Sequence, residues 1–226
     1  MQKCKFIMKY MRVTQGYGRN EVGAVDYASY SHAGSYALDL GGRDAGADWA
    51  YAPCDVVVKK IDGKYNAVWF ETLDEVICAD GKARSLVFML RHIDNEDLLG
   101  LGIKPGRVFR QGERFYREGS ADTIGNHIHL EVGNGPFELR CRQKTSLKTA
   151  TGKPVFKIKN QLKPHDVFFV GEDVLMLDTG GYGWCCDESL DFNPGADEQN
   201  KLLKQQLEDL SDALAEIGEI VDSMQV

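Results

Sequence analysis

The sequence predicts a mainly β, antiparallel domain followed by a C-terminal α-helix. Three observations carry this. Short runs of β-branched and aromatic residues recur between Asp-Gly and other Gly-containing turns. No helical period of convincing length appears before residue 190. Beyond Asn193-Pro194-Gly195 the apolar period changes to alternating steps of four and three.

Taken in order, Tyr36-Ala37-Leu38-Asp39-Leu40 alternates as a strand should. Asp55 to Ile61 is β-branched and runs into the turn signal Asp62-Gly63. Ala67 to Leu73 and Glu75 to Cys78 follow and close at Asp80-Gly81. Ser85 to His92 is a further apolar run. A loop carrying Gly100, Gly102, Pro105 and Gly106 leads to Arg107-Val108-Phe109, and strands are also expected near Val155–Ile158 and Val167–Val170. This β part begins near Met11 and extends to about Trp184.

In the C-terminal part, Leu203, Leu207, Leu210, Leu214, Ile217, Val221 and Met224 form an a/d seam, with Asn200 at an a position. Such an Asn favours a parallel dimer in register, so a homodimer through this helix is one expectation. Docking of the same helix back on the β part is the other. Gly218 weakens either helix by roughly 1 kcal/mol relative to Ala.

Composition excludes several classes. The 226-residue chain carries a net charge of -7 and no basic cluster, which argues against nucleic acid as a partner. No stretch approaches the roughly 18 to 20 apolar residues of a membrane helix. The basic N-terminus, Met1 to Lys9, lacks the apolar run of a secretory signal. Synthesis in the cytoplasm is therefore expected, with any external target reached by another route such as lysis. The six cysteines, Cys4, Cys54, Cys78, Cys141, Cys185 and Cys186, contain no Cys-x-x-Cys pair and are expected to be reduced and buried.

The segment Gly125-Asn126-His127-Ile128-His129-Leu130-Glu131-Val132 holds two of the five histidines. In a half-buried strand, His127, His129 and Glu131 share one face and Ile128, Leu130 and Val132 point into a core. Two imidazoles on one strand face suit a metal or a proton shuttle better than packing; a solvated polar edge is the alternative. A hydrolytic zinc site needs three protein ligands and an open position for water. Beside His129, the candidates are His32 and Asp39. Ala37 and Gly41, the small neighbours of Asp39 on its strand face, leave room for an ion.

A His and then an Asp, a lone His closing a central strand, and a late His-x-His together resemble the lysostaphin/LytM-type zinc peptidoglycan endopeptidases. The matching segments are Ser31 to Gly42, Ala52 to Val57, Leu90-Arg91-His92, Gln111-Gly112-Glu113 and Gly125 to Glu131, within roughly residues 12 to 135. The resemblance implies a Zn2+ ion held by His32, Asp39 and His129, with His92 and His127 flanking its water, and a bacterial peptidoglycan peptide as substrate. The resemblance implies a metallopeptidase domain, taken over residues 1–192; the linker over 193–198 and the helix over 199–226 are read from Asn193-Pro194-Gly195 and the change of period. Six residues separate His32 from Asp39 where three are common, and a bulge at Gly34-Ser35 is expected to absorb the difference. Glu131 is either a hydrogen-bond partner of a ligand or a solvated carboxylate, and His165 is expected in a loop outside the motif. Tyr27, Tyr30, Tyr36 and Tyr116 lie near the motif and are read as core or turn residues before cleft residues.

The same donor set, two histidines and a carboxylate, also serves non-haem iron oxygenases, and a non-catalytic wall-binding or phage tail module is the third reading. A chain with no secretory signal and a helical tail fits a phage-type endolysin or tail-associated lysin best.

Overall fold

A computed structural model describes residues 1–16, 32, 35–63, 66–123, 125–139, 142–148 and 154–178. The chain separates into two units, Met1–Glu188 and Ser189–Val226, and every described residue lies in the first. The linker, the heptad helix, Tyr27, Tyr30, Cys141, Cys185 and Cys186 lie outside the described residues.

In chain order the elements are β1 (Tyr10–Gln15), β2 (Leu38–Gly41), β3 (Trp49–Tyr51), β4 (Val56–Asp62), β5 (Ala67–Thr72), β6 (Val76–Ile77), β7 (Ala83–Arg84) and β8 (Leu86–Arg91). Then come α1 (Asn95–Gly100), β9 (Val108–Phe109), β10 (Arg114–Arg117), β11 (Ile128–Asn134), β12 (Arg142–Lys148), β13 (Pro154–Ile158), β14 (Gln161–Leu162), α2 (Pro164–Val167) and β15 (Leu175–Asp178). The mainly β, antiparallel class expected from the sequence is the class observed. One nine-stranded sheet runs β15-β1-β2-β11-β8-β5-β4-β9, with β14 also on β11. The β1–β15 pair is parallel, which no local pattern announced.

β11 is the organising strand. Along one edge it pairs with β8 from His129 to Asn134. Its other edge is shared, β2 taking Ile128 to Leu130 and β14 taking Val132 and Gly133. Asp39, His129 and Arg91 are therefore direct neighbours across three strands and project from the same face. The opposite face carries the main core, in which Leu38, Leu40, Val56, Val58, Val68, Phe70, Phe88, Leu90, Ile128 and Leu130 are all buried. Phe70 packs against Phe109, Phe115 and Tyr116. Tyr116 is a core residue, fully buried, whose hydroxyl accepts the Ile93 N–H.

Three expectations need correction. β11 is not half-buried: a second cluster of Ala67, Trp69, Val87, Met89 and Ile158 packs on its polar side, and Glu131 is only 2% exposed. Val167–Val170 is not a strand, because Pro164 starts a one-turn helix that ends at Val167. His165 lies in that helix rather than in a loop, its side chain 7% exposed and 3.1 Å from Asp166. Cys4, Cys54 and Cys78 are free and buried, as expected.

Two of the segments singled out in the sequence prove to be joined. Ala52 N–H donates to Glu113 O and Gly112 N–H to Ala52 O, at 2.8 and 2.9 Å. Gly112 has φ +83°, which a side chain would strain. Asp55 accepts from Gln2 Nε2, Gln111 N–H and Arg110 Nη1, at 3.0, 2.9 and 2.6 Å. Together they tie the N-terminus to the start of β4. No helix among the described residues is long and apolar enough to cross a membrane.

The Gln2 amide, the Gln111 N–H and the Arg110 guanidinium hold the Asp55 carboxyl at about 2. Its folded pKa is depressed, so its contribution to stability is present above about pH 4 and is lost as pH falls through about 2. Asp55→Asn should cost about 1–3 kcal/mol at neutral pH. Urea denaturation of both proteins should show this gap narrowing as pH falls from about 4 towards 2.

Candidate metal centre

His32 Nε2, Asp39 Oδ1 and His129 Nδ1 converge on one point. The His32–Asp39 and His32–His129 separations are both 3.2 Å, and His129–Asp39 is 3.0 Å. All three residues are buried. The sheet places Asp39 and His129 opposite one another on β2 and β11. His32 arrives from outside the sheet. Ser35 N–H donates to the His32 carbonyl at 2.9 Å, and this turn takes up the long spacing before Asp39.

The donor set fits a divalent cation. Tetrahedral zinc with bonds near 2.0–2.2 Å sets its ligand atoms about 3.3–3.5 Å apart, close to the three separations found. The arrangement is also awkward without a positive charge at its centre. Glu131 Oε1 lies 3.2 Å from His129 Nε2 and can only accept, so the proton on that nitrogen leaves the Nδ1 lone pair facing Asp39. Lone pairs and a carboxylate oxygen at this range repel unless a proton or a cation sits among them. His32 Nδ1 is buried with no hydrogen-bond partner among the described residues.

Electrostatics run the same way. Burial opposes ionisation of Asp39, yet the His32 and His129 imidazoles hold its carboxyl well below the usual range. Burial likewise opposes charge on His129, but Asp39 and Glu131 raise its pKa above that of a free imidazole. Glu131 is held low by His129 against its own burial.

His92 and His127 form a second layer. Their ring centroids are 4.6 Å apart, and His92 lies 6.1 Å from the His129 ring. His127 Nε2 is 3.7 Å from Asp39 Oδ2. His92 Nδ1 donates to Ala121 O at 2.8 Å and His127 Nδ1 to Gly125 O at 3.3 Å, which leaves Nε2 of each ring as an acceptor. His92 follows β8 with φ +82°, a strained value for a side-chain-bearing residue. Asn66 O accepts its N–H and Ala121 N–H donates to its carbonyl, both at 3.2 Å. Gly119 leaves space for that carbonyl: a Cβ there would collide with His92 O.

The structure thus brings together all five residues singled out in the sequence, His32, Asp39, His92, His127 and His129. Glu131 is a buried hydrogen-bond partner of His129 rather than a solvated carboxylate. Three supporting groups had no sequence signal. Ile158 N–H donates to Glu131 Oε2 at 2.7 Å. Gln161 touches Glu131, Ser35 and Tyr36. Ala121 O, a backbone atom, fixes the His92 tautomer. Their contacts depend on where distant segments meet.

No family model matches the chain. Over 204 residues it is 28% identical to Morphogenesis protein 1 of Bacillus phage B103, covering 88% of this chain and 48% of that protein. The chain therefore spans about half the length of that curated relative. Among solved structures it is similar to Csd3 of Helicobacter pylori, at 13% identity and TM-score 0.41, covering 94% of this chain and 43% of the other. It is also similar to a zinc-containing peptidase from Vibrio cholerae, at 15% identity and TM-score 0.35, covering 67% and 39%.

Burial, only partly offset by the bond to Ala121 O, pushes His92 down to about 4. Burial also lowers His127. For His92 the folded pKa lies below the unfolded one. Its contribution to stability is therefore present above about pH 6.5 and lost as pH falls towards 4. In the metal-free chain, NMR titration of the imidazole resonances should give His92 a midpoint near 4, with the ring neutral at pH 7. A midpoint above about 6 would contradict its burial.

Proposed function

We propose that the chain is a zinc-dependent endopeptidase that hydrolyses peptide crosslinks of bacterial peptidoglycan with a metal-activated water. The observation that carries this reading is the convergence of His32, Asp39 and His129 at 3.0–3.2 Å beside two imidazoles whose protons sit on Nδ1 and whose Nε2 atoms can accept. His32 Nε2, Asp39 Oδ1 and His129 Nδ1 would hold the ion. When bound, zinc supplies a Lewis acid that lowers the pKa of a water and polarises the scissile carbonyl.

The protein's own groups do the rest. Neutral His92, locked by Ala121 O, presents Nε2 to take the proton of the attacking water. Once protonated, the same nitrogen can donate to the departing amine. His127, whose Nδ1 carries its proton, presents Nε2 as a second acceptor beside the attacking water, and it donates to the carbonyl oxygen only after taking up a further proton from solvent. Asp39, itself a ligand, and Glu131, bonded to His129, keep negative charge at the site, and the second cluster of apolar residues on the site face limits water behind them.

The substrate class rests on the resemblance of the motif order to lysostaphin/LytM-type endopeptidases. The His92–His127 pair favours hydrolysis over the iron oxygenase reading, in which neither residue has a role. The relative from Bacillus phage B103 is named a morphogenesis protein, which supports a virion-associated lysin over a free one. The acidic charge of -7 offers no attraction to an anionic wall, so binding would rest on contacts in the cleft.

The test is metal content and turnover in parallel. One zinc per chain is expected. His129→Ala should lose metal and the release of peptide fragments from peptidoglycan together. His92→Ala and His127→Ala should keep zinc and lose turnover by about two or more orders of magnitude. Zinc retained at full occupancy in His129→Ala would overturn the ligand assignment, and zinc lost from either of the other variants would reverse the roles.

The heptad seam from Asn200 to Met224 is proposed to pair two chains. An isolated helix of that length is marginal in water and needs a surface to bury its seam. Light scattering should find a dimer for the full chain and a monomer for a chain ending near Pro194. Equal masses per chain would exclude tail-driven pairing.

A further inference from the structure

Gln161 uses its whole side-chain amide within the site. Its Oε1 accepts the Tyr36 N–H at 2.9 Å. Its Nε2 donates to Ser35 Oγ at 2.7 Å and to Glu131 Oε2 at 3.1 Å. The orientation of the amide is set by its partners, since a backbone N–H only donates and a carboxylate only accepts.

These contacts reach two different ligands. Ser35 closes the turn that carries His32, through its N–H to the His32 carbonyl. Its hydroxyl also receives the Ala37 N–H at 3.1 Å, two residues before Asp39. Glu131 holds the Nε2 side of His129. One side chain thus spans the support of His32 and the support of His129, which come from segments about a hundred residues apart.

Its seat is well defined. β14 pairs with β11 at Val132↔Leu162 and Gly133↔Gln161. Just before it, Lys159 O approaches so closely that a Cβ on Gly133 would lie 2.6 Å away. Ile158 N–H reaches the same Glu131 oxygen that Gln161 uses. The strap from Ile158 to Gln161 therefore lies directly against β11.

We infer that Gln161 is a positioning residue that sets the separation of His32 and His129, and hence the affinity and coordination geometry of the ion they hold. It does not touch the ion or the substrate. The inference rests on the metal reading above and adds to it a residue outside the resembling segments.

The test uses the full chain and zinc alone as probe. Affinity is measured by competition with a chromophoric chelator, and geometry by the visible absorption of the cobalt-substituted protein. Gln161→Leu removes all three bonds. Gln161→Glu keeps the acceptor for Tyr36 N–H and removes the donors to Ser35 and Glu131. Both variants should bind zinc about 10–100-fold more weakly than the parent, with an altered cobalt spectrum. A residue that only held the fold would lower the melting temperature of the metal-free chain and leave zinc affinity and the cobalt spectrum unchanged. That result would overturn the inference. Where Gln161→Leu fails to fold, Gln161→Glu decides by the same two readings. A parent that takes up no zinc would overturn the metal reading itself, and this inference with it.

Discussion

The buried carboxylate of Asp39, set between two imidazole nitrogens at 3.0 and 3.2 Å, is the constraint on which the rest of the structure turns. A carboxylate so deeply buried is costly unless its charge is matched. The matching groups cannot come from its own strand, whose neighbours are Leu38, Leu40 and the small Ala37 and Gly41. They come from β11 and from the turn before β2. Bringing them there requires β2 to pair with β11 in one register only, because a one-residue slip would turn His129 into the core and Ile128 out of it. The apolar face and the site face therefore enforce each other.

Strain collects around this centre. Asn66, His92 and Asp122 all have positive φ, at 43°, 82° and 63°. Asn66 Nδ2 bonds Asp122 Oδ2 at 2.7 Å, and the backbones of Asn66 and Ala121 clasp His92 between them. Strained backbone persists only where its surroundings over-determine it. Here the clasp lifts the His92 ring off the end of β8 and turns it towards His127. Without that turn, His92 would continue the alternation of β8 and point away from the face carrying Arg91 and His129.

Much of this is legible in the sequence. β-branched runs bounded by Asp-Gly and Gly turns marked β4, β5 and β8 to within a residue or two. The His-x-His alternation marked β11, and the order of four histidines and Asp39 singled out residues that the fold does bring together. What was not legible has a common physical cause. Alternation reports the period of a strand, not what covers its polar side, so Glu131 read equally well as solvated or engaged. The segment Val167–Val170 looked β-branched and aromatic, but Pro164 just upstream imposes a helical turn. Parallel pairing of β1 with β15 joins segments more than 150 residues apart and leaves no local trace. Gln161 is invisible for the same reason: its value lies in meeting Tyr36 and Glu131 at once.

The site is therefore a property of the folded sheet and not of any segment. Its contributors run from His32 through Asp39, His92 and His129 to Gln161, and no two neighbouring elements hold more than a part of it. An ion bound by such a set binds the native state alone, so its binding free energy adds to folding stability. The reverse also holds. Loosening the strap at Gln161 or the clasp at His92 acts on ion and fold through the same linkage, with different weights. Gln161 touches the supports of His129 and His32 through Glu131 and Ser35, and on the inference above it would set how tightly an ion is held. In the proposed mechanism His92 bears on the proton path and leaves the ligands in place. On that proposal the two layers of histidine would be separable in function, although the sheet packs them within 6.1 Å of each other.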